Sequence, residues 1–391
     1  MKQGKGTGMR LSGDLSLFSL LLAAVFFGLP QAGIGQATSG DQSWSSSTQL
    51  GSPDGNINPT RTASSHTQSG DRTNDRTSVE RVGQDGRYIP YSDIEKETVR
   101  VNDTTSRTIE RMYGRDADGH RTLIQERQEE TRTLPGGEQK VTRTMSNPDG
   151  DRKLQVVRRE QENSKQVSPG VRVTNTTLLM PDMNGGFSAA VRTEQRETQD
   201  SDGTIKSTKS TLITDSTGGW KLSEVRESTS KPESAGVRSK EESVLRPDAN
   251  GQLAVVERTV SKEAQDGSGE KRATVEKYST DVPGVAGDNG LQLVQRETTM
   301  QRSSTGGQST VQRVEEVHPG SLGGELGLTQ ETIDIVRPNG SGAADQSHTI
   351  LTTDSDGRLN QVLVDIGKTG DPGAVKVDTK APAKPAAVKA K

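Results

Sequence analysis

"PDANGQLAVVERTV", residues 247–260, reads as a tight turn running into a β-strand. Asp, Asn and Gly supply the turn, and Leu, Val and Thr at alternating positions supply the strand. The wording returns upstream as "PDMNGGFSAAVRTE" (181–194) and downstream as "GDNGLQLVQRET" (287–298). One turn and one Arg/Glu-edged strand are therefore being rewritten along the chain, the sequence sign of stacked supersecondary units.

The glycines give the spacing. Turn glycines fall at Gly86, Gly119, Gly150, Gly185, Gly219, Gly251, Gly290 and Gly357, with a looser Gly324, at a mean interval near 34 residues. A second set falls about midway, at Gly137, Gly170, Gly203, Gly236, Gly269, Gly307 and Gly342. Between them run arms such as "KLQVVRREQ", "VRVTNTTLLM" and "QSTVQRVEEV", rich in Val, Thr, Arg and Glu. Apolar residues do not recur at helical spacing, so the arms are expected to be strands. The predicted fold is all-β. About eight hairpin repeats of ~34 residues over 85–366 form an elongated, twisted antiparallel sheet or superhelix, flanked by disordered segments.

Composition agrees with a thin, repeated apolar strip. Only 27% of the 391 residues are hydrophobic and 3% aromatic, too few for one thick core. Lys and Arg number 50 against 53 Asp and Glu, a net charge of −3, so no global field favours nucleic acid or membrane. A transmembrane barrel is not expected from this chemistry. Residues 85–366 hold six aromatics, Tyr88, Tyr91, Tyr113, Phe187, Trp220 and Tyr278, too few for two lipid-facing girdles.

The ends differ from the middle. Lys2, Lys5 and Arg10, the apolar run 15–29 and the small-residue site Gly35-Gln36-Ala37 have the layout of a secretory signal peptide over 1–37. Residues 38–84 are rich in Ser, Thr, Gly and Asn and read as a disordered linker. Residues 367–391 read as a disordered Lys/Pro/Ala tail. The chain has no Cys, which excludes disulfides, thiol nucleophiles and Cys metal sites.

Candidate sites are sparse. Asp116 and Asp118, Asp200 and Asp202, and Asp354 and Asp356 form Asp-x-Asp-Gly turns that could grip Ca²⁺, but backbone geometry alone explains them, and no metal is expected. Trp220 could anchor a partner or fill its tile's core, with the core the favoured role. The tail lysines Lys376, Lys380, Lys384, Lys389 and Lys391 could bind an anionic polymer or act as a solubilising tail. No catalytic or phosphate-binding constellation appears, and no enzyme activity or cofactor is expected. "DGRYIPYSD" (85–93) and "DSDGRL" (354–359) resemble phrases of bacterial YD-repeat shell proteins, a likeness confined to two turns and assigning no family.

The expected role is a secreted, periplasmic or cell-surface, non-catalytic structural spacer, scaffold or adhesive element. The alternative is a binding module for acidic glycan or cell-wall polymer, held by exposed strands or by the basic tail. No nucleic-acid partner and no membrane span in the mature chain are expected.

Overall fold

Hairpin grammar of this kind yields a continuous antiparallel meander, and the chain forms one. A computed structural model describes residues 42–369 except 52–56, 84–86, 216, 235, 282–289, 318–324, 339–343 and 355–356. The signal-peptide segment 1–37 and the tail lysines lie outside the described residues. The strands are β1 (Gln42–Gly51), β2 (Ile57–Ser69), β3 (Arg72–Val82), β4 (Tyr88–Asn102), β5 (Thr105–Arg115), β6 (Arg121–Thr133) and β7 (Gln139–Pro148). There follow β8 (Leu154–Ser168), β9 (Val171–Pro181), β10 (Phe187–Gln199), β11 (Ile205–Thr214), β12 (Trp220–Ser234), β13 (Val237–Pro247) and β14 (Leu253–Gln265). The last are β15 (Lys271–Ser279), β16 (Gln292–Ser304), β17 (Gly307–Val317), β18 (Leu326–Pro338), β19 (Ala344–Thr353) and β20 (Leu359–Thr369). No helix occurs among the described residues.

Every strand pairs with its neighbours in sequence, and the ladder then returns on itself. β1 pairs antiparallel with β2 and also with β20, in a register running from Trp44 opposite Thr369 to Leu50 opposite Leu363. The expected open ribbon or superhelix is therefore corrected to a closed sheet of 20 strands. Closure satisfies the two rows of edge N–H and C=O groups that an open sheet would present to other chains. Closure is made by backbone pairing and requires no apolar band. The segment 38–84, read from sequence as linker, carries β1, β2 and β3, and β20 runs past residue 366 to Thr369.

The turns explain the period. Asp116, Asp149, Asp182, Asp215 and Asp248, each 33 residues after the last, open turns of one design at one rim. In the first, the Asp116 N–H donates to the His120 carbonyl and Gly119 N–H donates back to Asp116, both at 3.0 Å. The Asp116 carboxylate then accepts the N–H groups of Asp118 and His120 at 3.0 and 2.8 Å. Gly119 closes the turn at φ 81°, a left-handed conformation that suits glycine. Gly150 is not the corresponding residue of the next turn. Arg152 takes that place at φ 63°.

A bulge recurs with the turns. From β3 to β14, opposite the end of each odd strand, the following even strand carries one extra residue: Tyr91, Ile124, Val157, Ala190, Ser223 and Val256 stand unpaired at a constant 33-residue spacing. Bulges sharpen local twist and bend the sheet, and repeating one on successive even strands from β4 onward adds the curvature that closure needs.

The sheet is a single layer with almost no conventional core. Val141, Val225 and Val244 are the buried apolar residues among those described, and no large side chain is fully buried. Stability must come from the closed ladder and from cross-strand side-chain pairs, worth roughly 0.2–1 kcal/mol each.

Candidate functional site

Strand pleat divides the side chains into two faces, and along β10 burial distinguishes them. Along β10, Thr193, Gln195 and Glu197 are half-buried whereas Arg192, Glu194 and Arg196 are exposed. The half-buried set belongs to a face continuous through the registers of β7 to β11. One row on it runs Gln139, Ser164, Thr174, Gln195, Lys209. A cavity of about 320 Å³ is lined by residues of this face alone. A face that encloses a cavity across five successive strands is the concave one, hence the inner wall of the closed sheet.

Around the cavity the inner wall is polar, and nearer the rim of Asp turns the same face carries the row Leu178, Val191, Ile213. Besides the row from Gln139 to Lys209, the cavity is lined by Glu162, Thr176, Thr193, Arg172 and Glu197, so all ten lining side chains are hydroxyl, amide or charged. Thr174 Oγ1 donates to Ser164 Oγ at 2.9 Å, and Gln195 Nε2 donates to Ser207 Oγ at 3.2 Å. Beside the cavity, Arg143 donates from Nε to Glu129 at 2.7 Å and from Nη1 to Glu160 and Glu162 at 2.7 and 2.9 Å. Arg172, Glu197 and Lys209 differ. None makes an ion pair or side-chain hydrogen bond among the described residues, although register sets Arg172 directly opposite Glu197.

The outer wall is polar in its middle and apolar at one rim. Its middle carries paired charges, among them Arg111 with Glu126 at 2.7 Å and Arg313 with Glu331 at 2.6 Å. Near the rim of Asp turns it carries Tyr113, Phe187 and Trp220, each capped by a guanidinium: Arg121 at 3.5 Å, Arg159 at 4.8 Å and Arg192 at 4.3 Å from the ring centre. Contacts of this kind attract through the ring quadrupole. Leu154, Leu253, Val255 and Leu359 are exposed at the same level.

Those residues singled out in the sequence that the structure describes lie apart from the cavity. Asp116 and Asp118 sit with His120 in a rim turn, their ligand atoms within 4.8 Å of one another. Hydrogen bonds to the turn's own backbone hold the Asp116 carboxyl below its ordinary range, the largest coming from the His120 N–H. Asp200 pairs with Lys206 at 3.1 Å, Asp202 accepts from Thr204, and Asp356 lies outside the described residues. Trp220 is half-buried beneath Arg192, at the rim. Sequence reading missed Arg172, Glu197 and Lys209. Period-2 alternation places each on a face, but cross-strand register depends on turn geometry and is what brings them together.

No protein-family model matches the chain, and no curated protein matches it. Three solved structures illustrate the likenesses found. The siderophore receptor PirA from Pseudomonas aeruginosa is 9% identical with a TM-score of 0.46, over 86% of this chain and 81% of the receptor. The FrpB iron transporter from Neisseria meningitidis is 8% identical with a TM-score of 0.42, over 85% of this chain and 82% of that one. OccK2 (OpdF) from Pseudomonas aeruginosa is 10% identical with a TM-score of 0.39, over 84% and 96%.

The expected role is corrected here. A spacer, scaffold or adhesive array needs free ends from which to extend, and β1 and β20 are joined. The structural, periplasmic reading and its alternative, a binder of acidic glycan or wall polymer, are set aside together.

Proposed function

We propose that the chain is a non-catalytic, polar-lined β-barrel of the cell envelope that admits small hydrophilic solutes through its lumen. Closure of the ladder between β1 and β20 is the observation that carries this reading. Barrels of roughly 16–18 strands leave an aqueous channel, and those of roughly 22 enclose a lumen wide enough for a plug. Twenty strands fall between them. The hydroxyl, amide and charged side chains of the inner wall keep such a lumen wet. The charges on the outer wall are set in pairs, and the aromatic and leucine rim offers a level for an apolar boundary. A secretory leader over 1–37 would deliver the chain to the cell surface.

Planar-bilayer recording tests the proposal with the purified full chain. Stepwise conductance that persists at low voltage is the expected result. Protein that keeps its β spectrum, yet neither inserts nor conducts, would overturn it.

A further inference from the structure

Many charges on this sheet are answered by a neighbour. Arg143 meets three glutamates, Arg226 bridges Glu224 and Glu242, and Arg246 reaches Glu224 and Glu257. The wall of the cavity gathers three that are not. Arg172, Lys209 and Glu197 converge on it from three adjacent strands, and none of them has an ionic or side-chain hydrogen-bonding partner among the described residues. Two positive groups and one negative are thus left for something else.

We infer that this cavity binds a small zwitterion carrying two carboxylates and one ammonium, the chemistry of an acidic α-amino acid. Arg172 and Lys209 take the carboxylates, and Glu197 takes the ammonium. The hydroxyls of Thr174, Thr176 and Thr193 and the amide of Gln195 satisfy the remaining polar edges. A neutral sugar leaves all three charges unanswered. A dicarboxylate without an ammonium sets its charge against Glu197. An apolar ligand finds no apolar side chain on the wall. A volume of about 320 Å³ sits at the lower end of known small-molecule sites. The inference rests on the lumen being open to solutes, and it concerns binding alone.

Titration calorimetry of the full chain with L-glutamate at low ionic strength tests it, with glutarate and L-alanine as incomplete probes. Saturable glutamate binding is expected, with both other probes about tenfold weaker or more, since each loses a charge-assisted contact. Arg172→Gln and Lys209→Gln should each weaken glutamate by a similar factor. Glu197→Gln should weaken glutamate and leave glutarate unweakened. Absence of saturable heat with the unaltered protein, or variants that bind as it does, overturns the site. A barrel that conducts without binding glutamate would overturn this inference and leave the passage intact. Binding without conductance would do the reverse.

Discussion

Arg143 shows how single residues hold this sheet. It stands on the inner wall with three carboxylates within 2.9 Å and a third of its own side chain open to solvent. Replacing it by methionine keeps most of the packing and strands Glu129, Glu160 and Glu162. Charged hydrogen bonds in proteins are worth roughly 1.5–3 kcal/mol, and partial exposure lowers that figure. Arg143→Met should therefore destabilise the barrel by about 1–2 kcal/mol, read from a denaturant midpoint. The turn aspartates give a second residue-scale prediction. The Lys153 N–H, followed by the Gln155 side chain, holds the Asp149 carboxyl below its ordinary value of 3.8. A depressed folded value means stability that is full above the unfolded value and lost as pH falls through the folded one. Asp149→Asn keeps the turn geometry without the charge. The unaltered protein should melt above this variant near neutral pH, and the difference should vanish once the pH is below the Asp149 folded value. A constant difference at every pH would refute the electrostatic part. Both Arg143 and Asp149 were visible in the sequence only as members of Arg/Glu-rich arms and Asp-Gly turns. Their partners come from register.

At the scale of elements, the hairpins were legible and their alternation was not. Turns were read at Gly119, Gly185 and Gly251, and all three take left-handed φ there. Asp-x-x-Gly wording specifies such turns locally, whatever the rest of the chain does. At the opposite rim, two turn types alternate. Five-residue turns opening at Leu134, Asp200 and Asp266 alternate with tight ones at Thr104, Gly170 and Gly236. The residue before each long turn donates its N–H to the preceding tight turn, as Gln199 does to the Gly170 carbonyl at 2.7 Å. That interlock joins neighbouring hairpins, so no single copy of the repeat reveals it. It also separates the glycines. A methyl group on Gly170 would lie 2.6 Å from the Gln199 carbonyl oxygen, whereas Gly251 has open space around it. Both positions carry the left-handed cost of roughly 1–2 kcal/mol, but only Gly170 adds a backbone clash. Gly170→Ala should therefore lower the melting temperature clearly more than Gly251→Ala, and equal losses would argue against the interlock.

For the whole molecule, the decisive feature lies where the sequence looked least structured. "QSWSSSTQLG" (42–51) is a Ser/Thr stretch with no apolar period, the composition of a linker, yet it supplies β1. Polar strands carry no amphipathic signal when both of their faces are polar, and their pairing is set by the two strands they must join. Nothing local in 42–51 points to a partner more than 300 residues away. All-β class, antiparallel order and turn positions could thus be read from the chain, whereas closure could not. From closure follow a lumen, an inner wall and a cavity that an open ribbon would lack. The absence of native cysteine makes the joint directly testable. Ser47 and Ile366 face each other across it, as do Thr48 and Asp365. One of two successive antiparallel pairs is non-hydrogen-bonded, with Cα atoms about 4.5 Å apart, within disulfide range. Ser47→Cys with Ile366→Cys, and separately Thr48→Cys with Asp365→Cys, should be oxidised in the purified protein and run on a non-reducing gel. A closed barrel predicts that at least one variant forms an intrachain link and migrates faster until reduced. No link in either variant, while a control of Asn163→Cys with Asn175→Cys across β8 and β9 does link, would contradict closure.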